Sequence, residues 1–402
     1  MKRALGLLLL LAASARADWP HFLGPQYDNE CHEKDIAAGS VNKQWSAEVG
    51  TGFSGITIAN GKLFTMGNDG SQDNVVALDA ASGKPLWKHG YPAAVEAASY
   101  EGGPNAAPTF DRGRVYSLGR HGRMLCLDAA NGNVVWDKDA GSFNVEAPTW
   151  GFSGAPTVVG DAVVYNVGSR GAALDRNTGE TLWSTSGSGA GYATPVPCAA
   201  GVALFTSAGL FALDAKSGAP AWSADWNTSF EVNAASPTPV GSGFFITTGY
   251  DTGCALVDAT GRQSWRNRAM CSHFGTAAYH EGYIYGVDGN TGRRCALVCL
   301  NAADGSTAWR HESAFGTLRI ADGKVFFLTE SGTLLVVKAT SKSYQELAKH
   351  PLLSGKCWTA PTITQKKLWA RNAQGQLTCW QLEGGALTAE PLDPDRDTNL
   401  GY

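Results

Sequence analysis

Residues 77–87 read Ala77-Leu78-Asp79-Ala80-Ala81-Ser82-Gly83-Lys84-Pro85-Leu86-Trp87, and the rest of the chain is built around copies of this stretch. Cys126–Trp136 repeats it with Asp128, Gly132 and Trp136. Ala173–Trp183 and Ala212–Trp222 repeat it with Asp175, Gly179, Asp214 and Gly218 in step. Leu256–Trp265 is one residue shorter, and Cys299–Trp309 carries Asn301 in place of Asp. Two degenerate copies follow, around Val336-Val337-Lys338 and Cys379-Trp380-Gln381. From one copy to the next the step is 37 to 49 residues, the period of a four-stranded propeller blade.

Each period has strand grammar. In the first, Gly55–Ala59 precedes an Asn60-Gly61 turn, Lys62–Met66 and Val75–Asp79 follow, and Ser82-Gly83 turns the chain into Leu86–His89. Asp and Gly make the tight turn. The Trp lands on the following strand, where its ring fills the gap between neighbouring blades. Eight such units predict an all-β fold, an eight-bladed β-propeller of four-stranded antiparallel blades. Trp45, Trp87, Trp136, Trp183, Trp222, Trp265 and Trp309 occupy one structural docking position, with Leu347 standing in the seventh blade. The eighth blade lacks a C-terminal fourth strand. Gln44–Glu48 supplies it when Trp45 lies beside Cys379–Leu382, which closes the ring and removes its free edges.

Composition agrees. Of 402 residues, 49 are Gly and 13 are Trp, and only 17% are charged, against roughly 25% in an average globular chain. This excludes bulk disorder and coiled coil. The net charge of −4 argues against a nucleic-acid binder, which needs a basic surface. Lys2 and Arg3, the apolar run Leu5–Ala13 and Ala15-Arg16-Ala17 read as a cleavable signal peptide over residues 1–17. Without them the net charge is −7, with 29 basic against 36 acidic side chains. The expected plan is then an N-terminal extension over 18–43, the propeller over 44–383 and a C-terminal tail over 384–402. No membrane span and no lipid-anchor cysteine is present, so a periplasmic or secreted monomer is expected. Nine cysteines is an odd number, and export permits disulfides without requiring them. Cys271 with Cys254 or Cys295 is the pairing to look for. Cys126, Cys299 and Cys379 stand where other copies have Ala or Leu and are expected to be buried.

The pattern Ala-x-Asp-x-x-x-Gly-Lys-x-x-Trp resembles the tryptophan-docking motif of the quinoprotein-type, pyrroloquinoline-quinone-like eight-bladed propellers. The opening Asp18–Pro25 and the segments Tyr100–Pro104 and Gly355–Pro361 resemble exported bacterial members of that group, and the chain is also similar to the outer-membrane assembly propeller proteins. The resemblance implies the fold over nearly the whole mature chain. It leaves activity open, because the group holds dehydrogenases as well as non-catalytic scaffolds. In the dehydrogenases the quinone lies between a Trp and a disulfide of adjacent cysteines, with Ca²⁺ and an Asp base beside it. No adjacent Cys-Cys pair occurs in this sequence.

A ligand is expected at the central funnel. The loops that lead into the first strands bring Tyr100, Glu101, Trp150, Tyr192, Asn233, His273, Lys356 and Trp358. The loops between second and third strands bring Asp69, Arg120, Arg170, Asp251, Asp288, Glu330, Arg371 and Asn372. Trp150 and Trp358 read either as platforms for a ligand or as plugs of the funnel. No zinc spacing, calcium loop, nucleophile elbow or phosphate loop is present, and no metal site is expected. The favoured expectation is a non-catalytic binding or assembly module, without cofactor, that takes a protein, small molecule or glycan at its funnel face. The alternative is a periplasmic alcohol or sugar dehydrogenase using pyrroloquinoline quinone and Ca²⁺, with Glu101 or Asp251 as base.

Overall fold

The computed structural model describes residues 18–97 and 100–384. The signal-peptide reading of residues 1–17 and the tail beyond Gly384 lie outside the described residues. The described chain forms eight antiparallel sheets with two short 3-10 turns, and among the described residues no helix is long and apolar enough to cross a membrane.

Blade 1 runs Thr57–Ala59, Lys62–Asn68, Gln72–Asp79, Pro85–Pro92, from the axis outward. Blades 2 to 6 repeat that order, with inner strands at Thr109–Asp111, Thr157–Val159, Val196–Cys198, Thr238–Val240 and Ala278–His280. Blade 7 begins at Gly316–Ala321 and blade 8 at Thr362–Thr364. The fourth strand of blade 8 is Ser40–Glu48, paired antiparallel with Gln376–Glu383, and Trp45 sits opposite Cys379. The ring is therefore closed by the N-terminal strand in the expected register.

The docking position has a uniform geometry. In all eight blades the outer strand bulges by one residue just before it, which re-aims the following side chain. Each Trp faces a small or aliphatic residue on the third strand: Ala77, Cys126, Ala173, Ala212, Leu256, Cys299 or Cys379. The three cysteines among them are fully buried, as expected. In blade 7 the register position is Ala348, one residue on from Leu347.

Six of the seven rings lie on the motif glycine of the next blade; blade 7 has none, and Trp309 meets Tyr344 there instead, at 5.9 Å between centroids. A Cβ on Gly179 would stand 2.7 Å from the Trp136 ring, and Gly179 has φ +72°; no other residue satisfies both demands. The indole N–H then donates to a carbonyl in the same neighbouring turn, as in Trp87 to Ala129 (3.2 Å) and Trp183 to Ala215 (2.9 Å). Six of the seven docking tryptophans make this bond.

A second ring of bonds runs near the axis. The Thr57 hydroxyl donates to the Pro108 carbonyl, Thr109 to Pro156, Thr157 to Pro195, Thr238 to Ala277 and Thr362 to Ile56, at 2.6 to 2.9 Å. In blade 7 the same service is done by Arg319 Nε, 3.1 Å from the Pro361 carbonyl.

The segment expected as an extension is built into the axis. Trp19 pairs with Ile58 of blade 1, and the Pro20 carbonyl accepts from Phe110 N–H of blade 2. The chain turns over Leu23–Asn29, with Gly24 packed flat on Trp19. It then leaves as Glu30–Cys31, parallel to the inner strand of blade 7. Asn29 is the pivot: it is buried, and its amide donates to the carbonyls of Thr276, Ala277 and Leu318, each at 3.2 Å. The segment enters by the Asn60 turn and exits by Gln365, both at one end of the channel, and so fills it from that end.

All nine cysteines are free in the structure, which corrects the expected pairing of Cys271 with Cys254 or Cys295. Burial pushes the thiols of Cys254 and Cys271 up to about 12 and 11, so both are protonated at neutral pH.

Candidate functional site

Counting back from the first-strand Thr (or its equivalent), the residue four positions earlier faces the axis at the end opposite the N-terminal segment. These residues are Phe53, Asn105, Ser153, Tyr192, Ala234, Phe274 and Trp358, and all of them line one cavity of about 380 Å³. In blade 7 the corresponding Phe315 is buried behind the wall. Two positions before the Thr the wall divides in two. Blades 8, 1, 2 and 3 carry Ala360, Gly55, Ala107 and Ala155, while blades 4 to 7 carry Thr194, Ser236, Thr276 and Thr317. The small half makes room for Phe22, since a Cβ on Gly55 would stand 3.0 Å from its ring. Phe22 and Arg319 form the floor, and Tyr100, Trp150, Tyr250, His273 and Thr291 complete the lining.

The walls are aromatic. Trp358 stacks on Phe53 at 5.0 Å between centroids, and Phe274 and Tyr100 lie within 5.3 and 6.3 Å of it. Trp150 meets Tyr192 at 5.9 Å. Trp150 and Trp358 both line the cavity, and the N-terminal segment stops the channel below them. Trp358 is fixed by an indole bond to Glu330 (3.2 Å) and by Lys356 over its ring at 4.5 Å. The Trp150 carbonyl accepts from Tyr100, Asn105 and Arg120.

Of the other expected residues, Tyr192 and His273 line the cavity. Burial pushes the Tyr192 phenol up to about 12 and pulls the His273 imidazole down to about 4, so both are neutral at physiological pH. The Tyr250 hydroxyl lies 3.2 Å from His273 Nε2. Glu101 and Lys356 pair with each other at 2.9 Å beside the wall and are not part of the lining. Asn233 is buried behind Tyr192 and braces its own loop through the Thr206 and Trp226 carbonyls. Arg371 is buried between blades 8 and 1, where its guanidinium donates to Ser54, Thr65, Met66 and Gly50. Asn372 caps the turn at Gly375 and Gln376. Asp251 is exposed with φ +58°. Neither it, Arg371 nor Asn372 reaches the cavity lining.

Sequence reasoning passed over Phe22, Phe53, Tyr250, Phe274, Arg319 and the four hydroxyls. A signal was there: Pro-Thr recurs at 108–109, 156–157, 237–238 and 361–362, and counting back from it finds the wall. Phe230, beside Tyr250 at 5.2 Å, is 70% exposed with φ +61° at the cavity rim, a conformation that costs a non-glycine residue on the order of 1 kcal/mol or more.

Among the described residues no lining residue is an Asp or Glu, and no group of three His, Cys, Asp or Glu side chains is placed to hold a metal ion. A hard divalent cation needs several oxygen ligands, carboxylates foremost, and the lining supplies no carboxylate. With all cysteines free, no disulfide platform faces a planar ring either. The cavity residues therefore do not fit a Ca²⁺-bound quinone. They offer aromatic faces, hydroxyl donors and one buried guanidinium, a set suited to holding a small ring-bearing molecule.

Fold and cavity together define an eight-bladed propeller of the quinoprotein-like class. The family described as outer membrane protein assembly factor BamB matches residues 34–185, 71–240 and 206–386, and the chain belongs to that family. An outer membrane protein assembly factor BamB from Moranella endobia (strain PCIT) is 24% identical over 311 residues, which is 71% of this chain and 77% of the relative. A quinohemoprotein alcohol dehydrogenase from Comamonas testosteroni shares the fold with a TM-score of 0.72 at 15% identity, over 94% of this chain and 82% of that one. BamB from Moraxella catarrhalis does so with a TM-score of 0.62 at 18% identity, over 86% and 99%. The fold is thus common to assembly factors and dehydrogenases.

Proposed function

We propose that this protein is an exported, monomeric, non-catalytic propeller that binds its ligand in the axial cavity and so acts as a binding or assembly module. The observation that carries the reading is that, among the described residues, no carboxylate lines the cavity. An alcohol or sugar dehydrogenase needs a base at the reacting carbon and ligands for its metal. Of the two base candidates, Glu101 is held by Lys356 and Asp251 lies outside the lining. His273, the one imidazole in the lining, is held down to about 4 and is a weak base at neutral pH. Membership of a family described by outer membrane protein assembly supports both export and a scaffolding role.

The test is to add pyrroloquinoline quinone with Ca²⁺ to the purified chain and to measure binding together with dye-linked oxidation of alcohols and sugars. No stoichiometric binding and no turnover are expected. Tight binding of the quinone with substrate-dependent dye reduction would overturn the proposal.

A further inference from the structure

Two guanidiniums are fully buried among the described residues, and they differ in how they are satisfied. Arg371 has four protein acceptors around it, on Nη1 and Nη2, and only its Nε, which cannot reach the cavity, is without one. Arg319, 1% exposed on the cavity floor, has two: its Nε donates to Pro361 and its Nη2 to Phe22 (2.6 Å). Its Nη1 has no partner among the described residues, and no ion pair there includes Arg319. The neighbouring Thr317 hydroxyl, also buried and also lining the cavity, is without a partner as well.

Next along the wall, the oxygens of Thr194, Ser236 and Thr276 each accept a backbone N–H from the preceding blade: from Ala155, Thr194 and Ser236, at 3.0 to 3.1 Å. That leaves their O–H protons free to donate. One half of the cavity wall is therefore an arc of donors around a buried cation. The Trp19 and Phe22 rings lie 5.3 and 5.0 Å from the guanidinium carbon but supply no counter-charge; a buried charge without one is costly, and a planar oxyanion meets the guanidinium fork in the geometry it favours. The opposite half, around Phe53, Tyr100 and Trp358, is apolar and ring-shaped.

We propose that the cavity takes a small organic carboxylate, its ring-bearing apolar body against the Phe53, Tyr100 and Trp358 wall and its carboxylate on Arg319 and Thr317. This rests on the binding-module reading and specifies its ligand class. Arg319 and Thr317 are the specificity-determining residues, because they separate an acid from its uncharged analogue.

The test uses the full mature chain and a panel of phenylacetate, 4-phenylbutyrate and indole-3-acetate, each beside its carboxamide, with binding read by calorimetry. The acids are expected to bind at least about tenfold more tightly than the amides. Thr317→Val should weaken the acids several-fold and leave the amides unchanged, and Thr317→Ser should restore the preference. Arg319→Gln should abolish the preference. Since Arg319 also ties blade 7 to blade 8, its result is read only if its thermal unfolding stays cooperative; the Thr317 pair stands without it. Equal binding of acids and amides, or of a neutral oligosaccharide in their place, would overturn the carboxylate assignment and leave the binding module standing. No acid binding at about millimolar concentration would overturn it too. Quinone-dependent turnover would instead sink the reading beneath it.

Discussion

The outer belt of the ring and the wall of its axial cavity are cut from the same repeat and have diverged to different degrees. At the belt, Trp45, Trp87, Trp136, Trp183, Trp265 and Trp309 all donate an indole N–H to a carbonyl of the next blade, and all but Trp309 lay the ring on a glycine there. At the wall, one position is Phe, Asn, Ser, Tyr, Ala or Trp depending on the blade. The belt is uniform because each blade must present the same surface to the next. The wall is free of that demand, since its side chains point at the axis and meet other wall residues or the N-terminal segment. Uniformity therefore marks stability, and divergence marks what the ring holds.

Four predictions probe this contrast. The largest effect should come from the closing strand. Removing residues 18–48 takes Trp45, the fourth strand of blade 8 and the axial segment together. The loss should exceed the roughly 5–15 kcal/mol that holds a typical domain folded, so denaturant titration should show no cooperative transition. A cooperative unfolding curve would mean that the ring does not need its seam.

Next comes a single belt glycine. Gly179→Ala places a Cβ 2.7 Å from the Trp136 ring at φ +72° and should cost about 3 kcal/mol by chemical denaturation. The same change at Gly160, also at positive φ but with open space around it, should cost only about 1 kcal/mol. Equal costs at the two sites would refute the packing role of the belt glycine.

A smaller loss, about 1–2 kcal/mol, should follow Thr157→Val, which strands the Pro195 carbonyl near the axis. Val196 occupies the same position in blade 4 with no hydroxyl, so the reverse change Val196→Thr should be close to neutral or slightly stabilising.

The smallest effect is a pH slope. Glu30 hydrogen-bonds His280 at 3.0 Å and raises its pKa above 6.5. The stability this adds is fully present below pH 6.5 and is lost as pH rises through the folded-state value. His21 and His273, held down to about 4 by burial, act the other way: their contribution is present above 6.5 and falls away toward pH 4. The difference between wild type and Glu30→Gln, measured by urea unfolding at pH 5.5 and 8.5, isolates the pair. It should be larger at the lower pH, and a flat difference would remove the pair as a pH-dependent contact.

The belt could be read from one strand of text because its rule is periodic and local: Asp, then Gly, then Trp. The blade number, the seam at Trp45 and the burial of Cys126, Cys299 and Cys379 all followed from that rule. The wall resisted because its register is set by tertiary packing. Gly-Phe-Ser-Gly occurs at 52–55 and again at 151–154. In the first copy Phe53 lies four residues before the inner-strand Thr and faces the cavity. In the second the tetrapeptide is shifted by one, so Ser153 faces the cavity and Phe152 goes into the core. A one-residue shift in a strand-like segment reverses which face a side chain takes, and nothing inside the tetrapeptide announces it. Arg371 and Asn372 were misplaced for a related reason: a polar residue near a funnel satisfies backbone as readily as it lines a pocket. The axial segment carries no repeat at all; its hydrogen-bond partners lie in blades 1, 2, 6, 7 and 8, and Leu23 and Tyr27 join the apolar cluster of blades 4 and 5.

That last feature governs how the molecule must fold. The Phe22 carbonyl meets Arg319 across 297 positions, and Asn42 meets Glu383 across 341. The earliest part of the ring to be synthesised thus finds its place only when the latest arrives. Until then Trp19, Leu23 and Tyr27 are exposed apolar groups on an unfinished arc. Such long-range closure is slow and leaves the intermediate open to aggregation. A seam between first and last strands makes assembly all-or-none: no shorter stretch of this chain can complete its own axis.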